Sequence, residues 1–200
     1  MSGEGKNAGG TVVGKLGYLL GRAQHTLITF NKTDLEKLAI EDKIQVKAFG
    51  TGLLINGFED IKVFSASPNL IKNLCSIEKD KVIVPVITII PAFLLGMGSE
   101  GSPPEEGNWE IQTSCLTDGL KENKIDKLHI GVVVALEDIL SAYGRGYFKG
   151  GVTIGVISTG ASDVAGQGIA VTTIMTTKNG TIKPKIDPDS NIINYLDIKQ

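Results

Sequence analysis

Residues 128–158 read LHIGVVVALEDILSAYGRGYFKGGVTIGVIS, and this stretch decides the class of fold. It contains two apolar runs, LHIGVVVAL (128–136) and VTIGVIS (152–158), with AYGRGYFKGG (142–151) lying between them. Continuous apolar runs of this length are typical of central β-strands, and glycines supply the positive backbone angles that corners between strands need. The stretch therefore predicts a β-rich domain with a glycine-rich corner that carries Arg145.

The same strand pattern recurs along the chain. Further runs rich in β-branched residues predict strands at TVVG (11–14), HTLITF (25–30), KIQVKAF (43–49), IKVF (61–64), KVIVPV (81–86) and AVTTIMT (170–176). Asn179-Gly180 is a preferred pair for a type I′ turn, so we expect the last of these strands to form a hairpin with TIKP (181–184).

Helices are predicted to be few and short. Segment 67–74 offers Ser67 as the N-cap and Pro68 at the first helical position. The other predicted helices are 32–39, 114–123 and 187–196, the last capped by Asp189 or Ser190. The fold class that follows is α+β and predominantly β: a barrel-like β domain with short peripheral helices.

The longest uncharged run, VIVPVITIIPAFLLGMG (82–98), is at the lower limit of length for a membrane span. Pro85 and Pro91 would break a helix within it. We interpret the run as a buried strand pair, or a strand followed by a short helix, and expect no membrane partner.

Charge and cysteine usage narrow the class of protein further. Lys and Arg total 20 against 22 Asp and Glu, a net charge of −2, and no basic stripe favours a nucleic-acid partner. The polar opening MSGEGKNAGG is not a signal peptide. Cys75 and Cys115 lack a metal-binding spacing and are predicted to be free thiols, so we expect a cytoplasmic protein.

The length favours a single domain over residues 1–200, with a flexible start at 1–10. GGTVVG (9–14) and GGVTIG (150–155) are similar in sequence. The similarity is either chance, or a sign that the domain consists of two related β halves at about 10–65 and 126–186. The loop 96–108 is long enough to be a lid or a subunit contact, and a homo-oligomer is expected.

Motifs for well-known chemistries are missing from the sequence. The two histidines, His25 and His129, form no metal-ligand spacing with each other or with cysteines, so no metal site is predicted. The P-loop, the dinucleotide fingerprint and the nucleophile elbow are also absent. The residues thus leave the cofactor unknown, and they leave open whether the protein is an enzyme.

Polar residues at predicted strand ends are the candidates for a site. The candidate ligand-binding residues are Arg145 in the first glycine-rich segment, Asp163 and Gln167 in the second (160–170), and His25. A guanidinium can bind a carboxylate or phosphate with two hydrogen bonds, so the expected ligand is a small anionic molecule.

Structural interpretations of the same residues remain open beside the ligand-binding hypothesis. The glycine-rich segments and the loop 96–108 could instead make subunit contacts, which would make the protein a non-catalytic structural or oligomer-assembly module. Glu137 and Asp138, which follow the run 128–136, could be site residues or solvated turn residues.

Six blocks of the chain together resemble one known family. They are GKLGYLLGRAQHTLITF (14–30), LAIEDKIQVKAFGTGL (38–53), VPVITIIPAFLLGMG (84–98), YGRGYFKGGVTIGVIS (143–158), AGQGIAVTT (165–173) and KIDPDSNIINYL (185–196). In order and spacing they resemble the prokaryotic domain of unknown function 4438. The resemblance implies a barrel-like architecture but no known activity, and it implies a longer N-terminal segment than this chain has.

The departures from the family pattern bear on the site. Where the family tends to a histidine this chain has Gln167, and of the family pattern Gly-Gly-x-Glu-His this chain keeps the histidine as His25. A glutamine retains hydrogen bonding but cannot titrate, which weakens the case for an enzyme. The block Tyr143-Gly144-Arg145-Gly146-Tyr147 is retained, so the resemblance makes Arg145 the first candidate for a site residue.

Overall fold

The computed structural model describes residues 2–6, 12–20, 27–30, 32–47, 52–64, 66–96, 109–112, 123–125, 128–144, 146–160 and 168–196. The strands are β1 (Ser2–Lys6), β2 (Val12–Leu20), β3 (Leu27–Phe30), β4 (Ile44–Lys47), β5 (Lys62–Val63), β6 (Ser76–Glu78), β7 (Lys81–Val86), β8 (Thr88–Pro91), β9 (Leu95–Gly96), β10 (Trp109–Ile111), β11 (Val133–Leu140), β12 (Gly146–Ile157), β13 (Ile169–Thr177) and β14 (Ile182–Ile186). The helices are α1 (Lys32–Leu35) and α2 (Pro68–Leu74), with 3-10 turns at Ala92–Leu94 and Ile192–Tyr195.

The largest sheet is rolled into a nearly closed barrel. Its strand order is β8-β11-β12-β13-β10-β9, and β5 pairs with the end of β13. The strands at the two ends of this path, β8 and β9, are joined by the short 3-10 turn Ala92–Leu94, so the chain itself brings the edges of the sheet together. The prediction of a predominantly β, barrel-like fold is confirmed.

The two faces of this sheet bury two separate apolar cores. Alternation along β11 sends Val134 and Leu136 to one face and Val133 and Ala135 to the other. We call the core on the Val134 and Leu136 face the inner core and the core on the opposite face the outer core. Each strand of the barrel sheet, or the turn next to it, contributes a side chain to the inner core. Its members include Ile90, Leu94, Trp109, Ile111, Val134, Leu136, Ile139, Ile157, Ile169 and Val171.

The outer core packs the barrel against α2 and a second, three-stranded sheet. That sheet has the order β14-β7-β6, and its buried side chains join those of α2 and of the outer faces of β11, β12 and β13. Members of this core include Leu70, Leu74, Val82, Val84, Val86, Val133, Ala135, Ile154, Val156, Met175 and Ile182. The run 82–98 thus contains the predicted buried strands, β7 and β8. Among the described residues, no helix is long and apolar enough to span a bilayer.

The predicted hairpin at Asn179-Gly180 is wrong. Strand β14 does not pair with β13 but leaves the barrel and pairs in parallel with β7, with Ile182 opposite Val82. A type I′ turn needs positive φ at both central residues, and here only Gly180 has one, at +64°. The chain therefore crosses between two sheets where the local sequence favoured a tight return.

The helix predictions have mixed outcomes. For α2, the backbone N–H of Leu70 donates to the Ser67 hydroxyl at 3.1 Å, which confirms the predicted cap. The predicted helix 187–196 is only a 3-10 turn over Ile192–Tyr195, and its cap is Asn191 rather than Asp189 or Ser190. The predicted helix 114–123, apart from Asn123, and the loop 96–108, apart from Gly96, lie outside the described residues.

The first part of the chain forms a four-stranded sheet with the order β3-β2-β1-β4. Ser2–Lys6 pairs with β2 on one side and β4 on the other, although residues 1–10 were predicted to be a flexible start. Strand pairing uses backbone N–H and C=O groups, so a polar, glycine-rich segment can form a central strand when it has a partner on each side.

Candidate functional site

All four predicted ligand-binding residues, His25, Arg145, Asp163 and Gln167, lie outside the described residues. The residues next to two of the loops are described. Gly144 and Gly146 flank Arg145, and Gly160 and Gly168 bracket the segment that contains Asp163 and Gln167. The bases of the two glycine-rich loops can therefore be placed in the fold.

Strand β12 separates the two loop bases. Gly146 begins this strand, and the segment that holds Asp163 and Gln167 follows its end at Ile157. The segment Val152–Ile157 of β12 spans about 16 Å at about 3.3 Å per residue. The described bases of the two loops therefore lie at opposite ends of this strand.

The base of the second loop is closed by one hydroxyl group. The Thr159 Oγ1 donates to the carbonyl of Gly168 at 3.0 Å and accepts from the backbone N–H of Ala170 at 2.9 Å. These two bonds use the only proton of the hydroxyl, so Thr159 has no O–H left to donate to a ligand at this loop base.

The Arg145 end of the barrel holds a group of buried hydroxyls, here called the hydroxyl cluster: Ser141, Thr153 and Thr176. All three side chains are fully buried. Thr153 Oγ1 donates to the carbonyl of Ile139 at 2.9 Å, so its 2.7 Å contact with Thr176 Oγ1 uses the Thr176 proton. The backbone N–H of Ser141 in turn donates to Thr176 Oγ1 at 3.2 Å.

Trp109 connects the hydroxyl cluster to the opposite wall. Its indole Nε1–H donates to the Ser141 Oγ at 3.0 Å, while its backbone lies in β10, paired with Val171. The Ser141 Oγ is 3.5 Å from Thr153 Oγ1, which is the longest contact of the cluster. Hydrogen bonding thus offsets the cost of burying these polar groups in an otherwise apolar barrel.

Lys62 binds the loop that precedes Arg145. Its ammonium donates a hydrogen bond to the carbonyl of Ala142. The Nζ also lies 5.0 Å from the centre of the Phe64 ring and 5.2 Å from that of the Tyr143 ring, both within cation–π distance. We call Lys62, Phe64, Ala142 and Tyr143 the lysine corner. Within the part of the chain that the structure describes, Lys62 has no carboxylate partner.

Asp60, two residues before Lys62, is held by hydroxyl groups. Its Oδ2 accepts from Thr177 Oγ1 at 2.7 Å and from Thr181 Oγ1 at 2.6 Å. Burial raises the pKa of Asp60, but the hydrogen bonds from Thr181, Thr177, the Asp60 backbone and Asn179 outweigh it and hold the pKa below its ordinary value of 3.8. This carboxylate therefore anchors β5 to the crossing between β13 and β14.

Glu137 and Asp138 lie inside β11 and not after its end. The register jumps from Glu137 opposite Val152 to Ile139 opposite Tyr147, so a four-residue bulge stands opposite Asp138. Asp138 has a φ of +58°, and its Oδ1 accepts from the backbone N–H of Gly150 at 2.7 Å. Of the two alternatives, the turn is excluded because both residues lie within the strand, and Asp138 caps the bulge.

The other polar candidates give no catalytic constellation. His129 is exposed and precedes β11, although it was predicted to lie in the strand. No three His, Cys, Asp or Glu side chains gather into a metal-binding group within the described ranges. What the described residues place at the Arg145 end are hydroxyls, one lysine and aromatic rings.

Sequence reasoning missed Lys62, Trp109 and Ser141. Trp109 is the only tryptophan in the chain, and Ser141 follows a strand of buried apolar residues, but neither feature indicates that the two side chains meet. Lys62 stands in a short run, IKVF, that gives no sign of a contact with residue 142. Pairing of β10 and β5 with β13, far apart in sequence, creates both contacts.

The fold defines a β-rich, barrel-like protein, and comparison places it in a family. The model described as domain of unknown function (DUF4438), C-terminal, matches residues 73–196, and the model for the N-terminal domain matches residues 1–72. The chain therefore belongs to the DUF4438 family, which confirms the resemblance drawn from the sequence.

A solved structure has a similar fold. The crystal structure of TM1086 is similar to this chain with a TM-score of 0.80 and 32% sequence identity, over 98% of this chain and 70% of that chain. No curated protein matches the chain.

Proposed function

We propose that the protein binds a small anionic molecule at the end of the barrel that carries Ser141, Ala142 and Gly146, beside Arg145. The observation that carries this proposal is the hydrogen bond from the Lys62 ammonium to the carbonyl of Ala142, three residues before Arg145. It supports a site in which two cationic side chains serve the same corner.

The chemistry of the two side chains is complementary. The guanidinium of Arg145 would bind a carboxylate or a phosphate through two parallel hydrogen bonds, whereas Lys62 would act as a point charge. A lysine ammonium has further N–H donors beyond the one that binds the Ala142 carbonyl. Gly144, with a φ of +107°, lets the backbone turn sharply beside Arg145.

The proposed function is binding of the anion without catalysis. The hydroxyl cluster is fully buried, and its hydroxyls bond to one another, to Trp109 and to backbone groups. A nucleophilic hydroxyl needs an adjacent base, and no histidine or carboxylate contacts Ser141 among the residues described. The cluster supports the wall beneath the site.

A thermal-shift experiment with inorganic phosphate and small mono- and dicarboxylates tests the proposal. A ligand that binds only the folded state, present at about 100 times its dissociation constant, adds about 2.7 kcal/mol to stability. Arg145→Ala and Lys62→Met should abolish the shift, whereas Lys183→Met, an exposed lysine of β14, should retain it. Equal shifts in all three variants would refute a site at this corner.

A second candidate function is assembly of copies of this chain. The hairpin formed by the end of β11 and the start of β12 exposes three aromatic side chains, Tyr143 at 98%, Tyr147 at 67% and Phe148 at 42%. Pairing of β12 with β13 begins only at Val152, so the first part of β12 extends past its neighbour. An exposed aromatic strand of this kind suits pairing with a second copy.

Light scattering distinguishes this candidate from the first. If the hairpin is a subunit contact, the protein is an oligomer at micromolar concentration, and Tyr147→Ser converts it to a monomer. A wild-type monomer under these conditions would exclude the assembly function and leave the anion site untouched.

A further inference from the structure

The Asn179-Gly180 pair has no part in the proposed anion site, and its geometry is unusual. Asn179 is exposed, and its backbone N–H donates to Thr177 Oγ1 at 3.2 Å. Gly180 has a φ of +64° and open space around the position of a Cβ atom. Its backbone N–H makes no hydrogen bond to any residue that the structure describes.

The chain contains a second Asn-Gly pair that serves as an internal comparison. Asn56-Gly57 is also exposed, and Gly57 also has a positive φ of +81°. The difference lies at the backbone amide, because the N–H of Gly57 donates to the Glu59 Oε1 at 2.9 Å. Two identical dipeptides thus differ in whether the glycine amide is held by a carboxylate.

We infer that Asn179 is a site of spontaneous deamidation and that Glu59 protects Asn56 from the same reaction. The backbone nitrogen of Gly180 attacks the side-chain carbonyl carbon of Asn179. A C–N bond forms, the bond to the side-chain nitrogen breaks, and ammonia leaves. Water then opens the cyclic imide at either carbonyl and yields aspartate or isoaspartate, with no oxidation or reduction.

The state of the glycine amide controls the attack. The nitrogen becomes nucleophilic as its proton is removed, and the Gly180 amide has no described acceptor to hold that proton. At Gly57 the Glu59 carboxylate holds the proton, and its negative charge opposes formation of the nitrogen anion. The structure therefore makes one amide available for attack and restrains the other.

The product would act on the anchor at Asp60. Asn179 is one of the neighbours that hold the pKa of Asp60 below its ordinary value, and the Asp60 carboxylate accepts from the Thr177 and Thr181 hydroxyls. Deamidation replaces the Asn179 amide with a second carboxylate beside Asp60, and two nearby carboxylates disfavour each other's charge. Isoaspartate also lengthens the backbone by one methylene just before β14. The reaction would loosen the crossing between the barrel and the smaller sheet.

The experiment uses the native full-length chain, incubated in mildly alkaline buffer and digested with trypsin. Cleavage gives the peptides 179–185 and 48–62, since Pro184 blocks cleavage after Lys183. Mass spectrometry with chromatographic separation measures aspartate and isoaspartate in each. We expect Asn179 to convert about tenfold faster than Asn56, because the attack at Asn56 must first break a hydrogen bond to a charged acceptor.

Two controls separate structure from sequence. In denaturant the two sites should convert at similar rates. Glu59→Ala, a change at an exposed residue, should raise the rate at Asn56 and leave that at Asn179 unchanged. Equal native rates at the two sites, or the same rate ratio in native and denatured protein, would overturn the inference. Asn179→Asp, which reproduces one product, should lower the melting temperature, whereas Asn56→Asp should not.

Discussion

The indole N–H of Trp109 donates to the hydroxyl of Ser141 across the inside of the barrel, at a distance of 3.0 Å. One partner lies in β10 and the other follows the end of β11, two strands that are not neighbours in the sheet. Because both groups are buried, the Trp109 N–H depends on the Ser141 hydroxyl as its acceptor. The pair thus ties the loop before Arg145 to the far wall of the barrel.

Replacement of Ser141 by alanine should destabilise the fold. The variant leaves the Trp109 N–H buried without its acceptor, which costs about 1–3 kcal/mol in the free energy of unfolding. Urea denaturation followed by tryptophan fluorescence measures this directly, since Trp109 is the only tryptophan. Ser76→Ala, at an exposed position in β6, is the matched control and should be neutral.

A double-mutant cycle shows whether the cost comes from the pair. If it does, Trp109→Phe with Ser141→Ala should cost less than the sum of the two single changes, since no buried group is then left unpaired, and circular dichroism would follow unfolding. Strict additivity would mean that Ser141 acts through the hydroxyl cluster alone.

Substitution of Gly151 by alanine should also destabilise the protein. A Cβ atom there would lie 2.9 Å from the carbonyl oxygens of Ile139 and Phe148, both backbone atoms that cannot rotate away. We expect a loss of about 1–3 kcal/mol in chemical denaturation, as for other overpacked sites. Gly146→Ala, with no atom within 4 Å of the Cβ position, is the control, and an equal loss there would contradict the steric explanation.

Sequence periodicity located the strands that form the barrel and the outer sheet because burial leaves a local pattern. The apolar runs became β7, β11, β12 and β13, and the Ser67-Pro68 signal marked the start of α2. Local patterns failed where distant contacts decide the outcome. Asn179-Gly180 favoured a hairpin, but β14 pairs with β7, in which each partner residue lies 100 positions earlier in the chain (182 − 82 = 100).

The same limit applies to the candidate site. Glycine content indicated a corner next to Arg145, but nothing in the order of residues shows that Lys62 reaches Ala142 or that Asp138 caps a bulge. A bulge is defined by how the residues of one strand pair with those of its neighbour, and it cannot be recognised in one segment alone. The sequence around Asp138 is compatible with either a turn or a strand. Contacts between remote segments are therefore the part that required the structure.

The Asp60 anchor predicts a dependence of stability on pH. Because the folded-state pKa of Asp60 lies below the ordinary value of 3.8, the ionised carboxylate stabilises the folded state above that value. This contribution is lost as the pH falls through the lowered folded-state pKa. Asp60→Asn should reduce the free energy of unfolding at neutral pH by about 1–2 kcal/mol. It should also make the free energy of unfolding fall less steeply as the pH becomes acid. Urea midpoints measured between neutral and acid pH would show this, and parallel wild-type and variant curves would contradict it.

Cys75 should react slowly with thiol reagents while the protein is folded. Burial raises the pKa of this thiol to about 12, so at pH 8 only about one molecule in ten thousand carries the reactive thiolate. The measurement is the rate of labelling by a chromogenic disulfide in a Cys115→Ser variant, in which Cys75 is the only cysteine. We expect a rate at least about a hundredfold below that in denaturant, where the ordinary pKa returns. Labelling at the same rate with and without denaturant would show that the thiol is not shielded, and would remove Cys75 from the contacts that hold the outer core around α2.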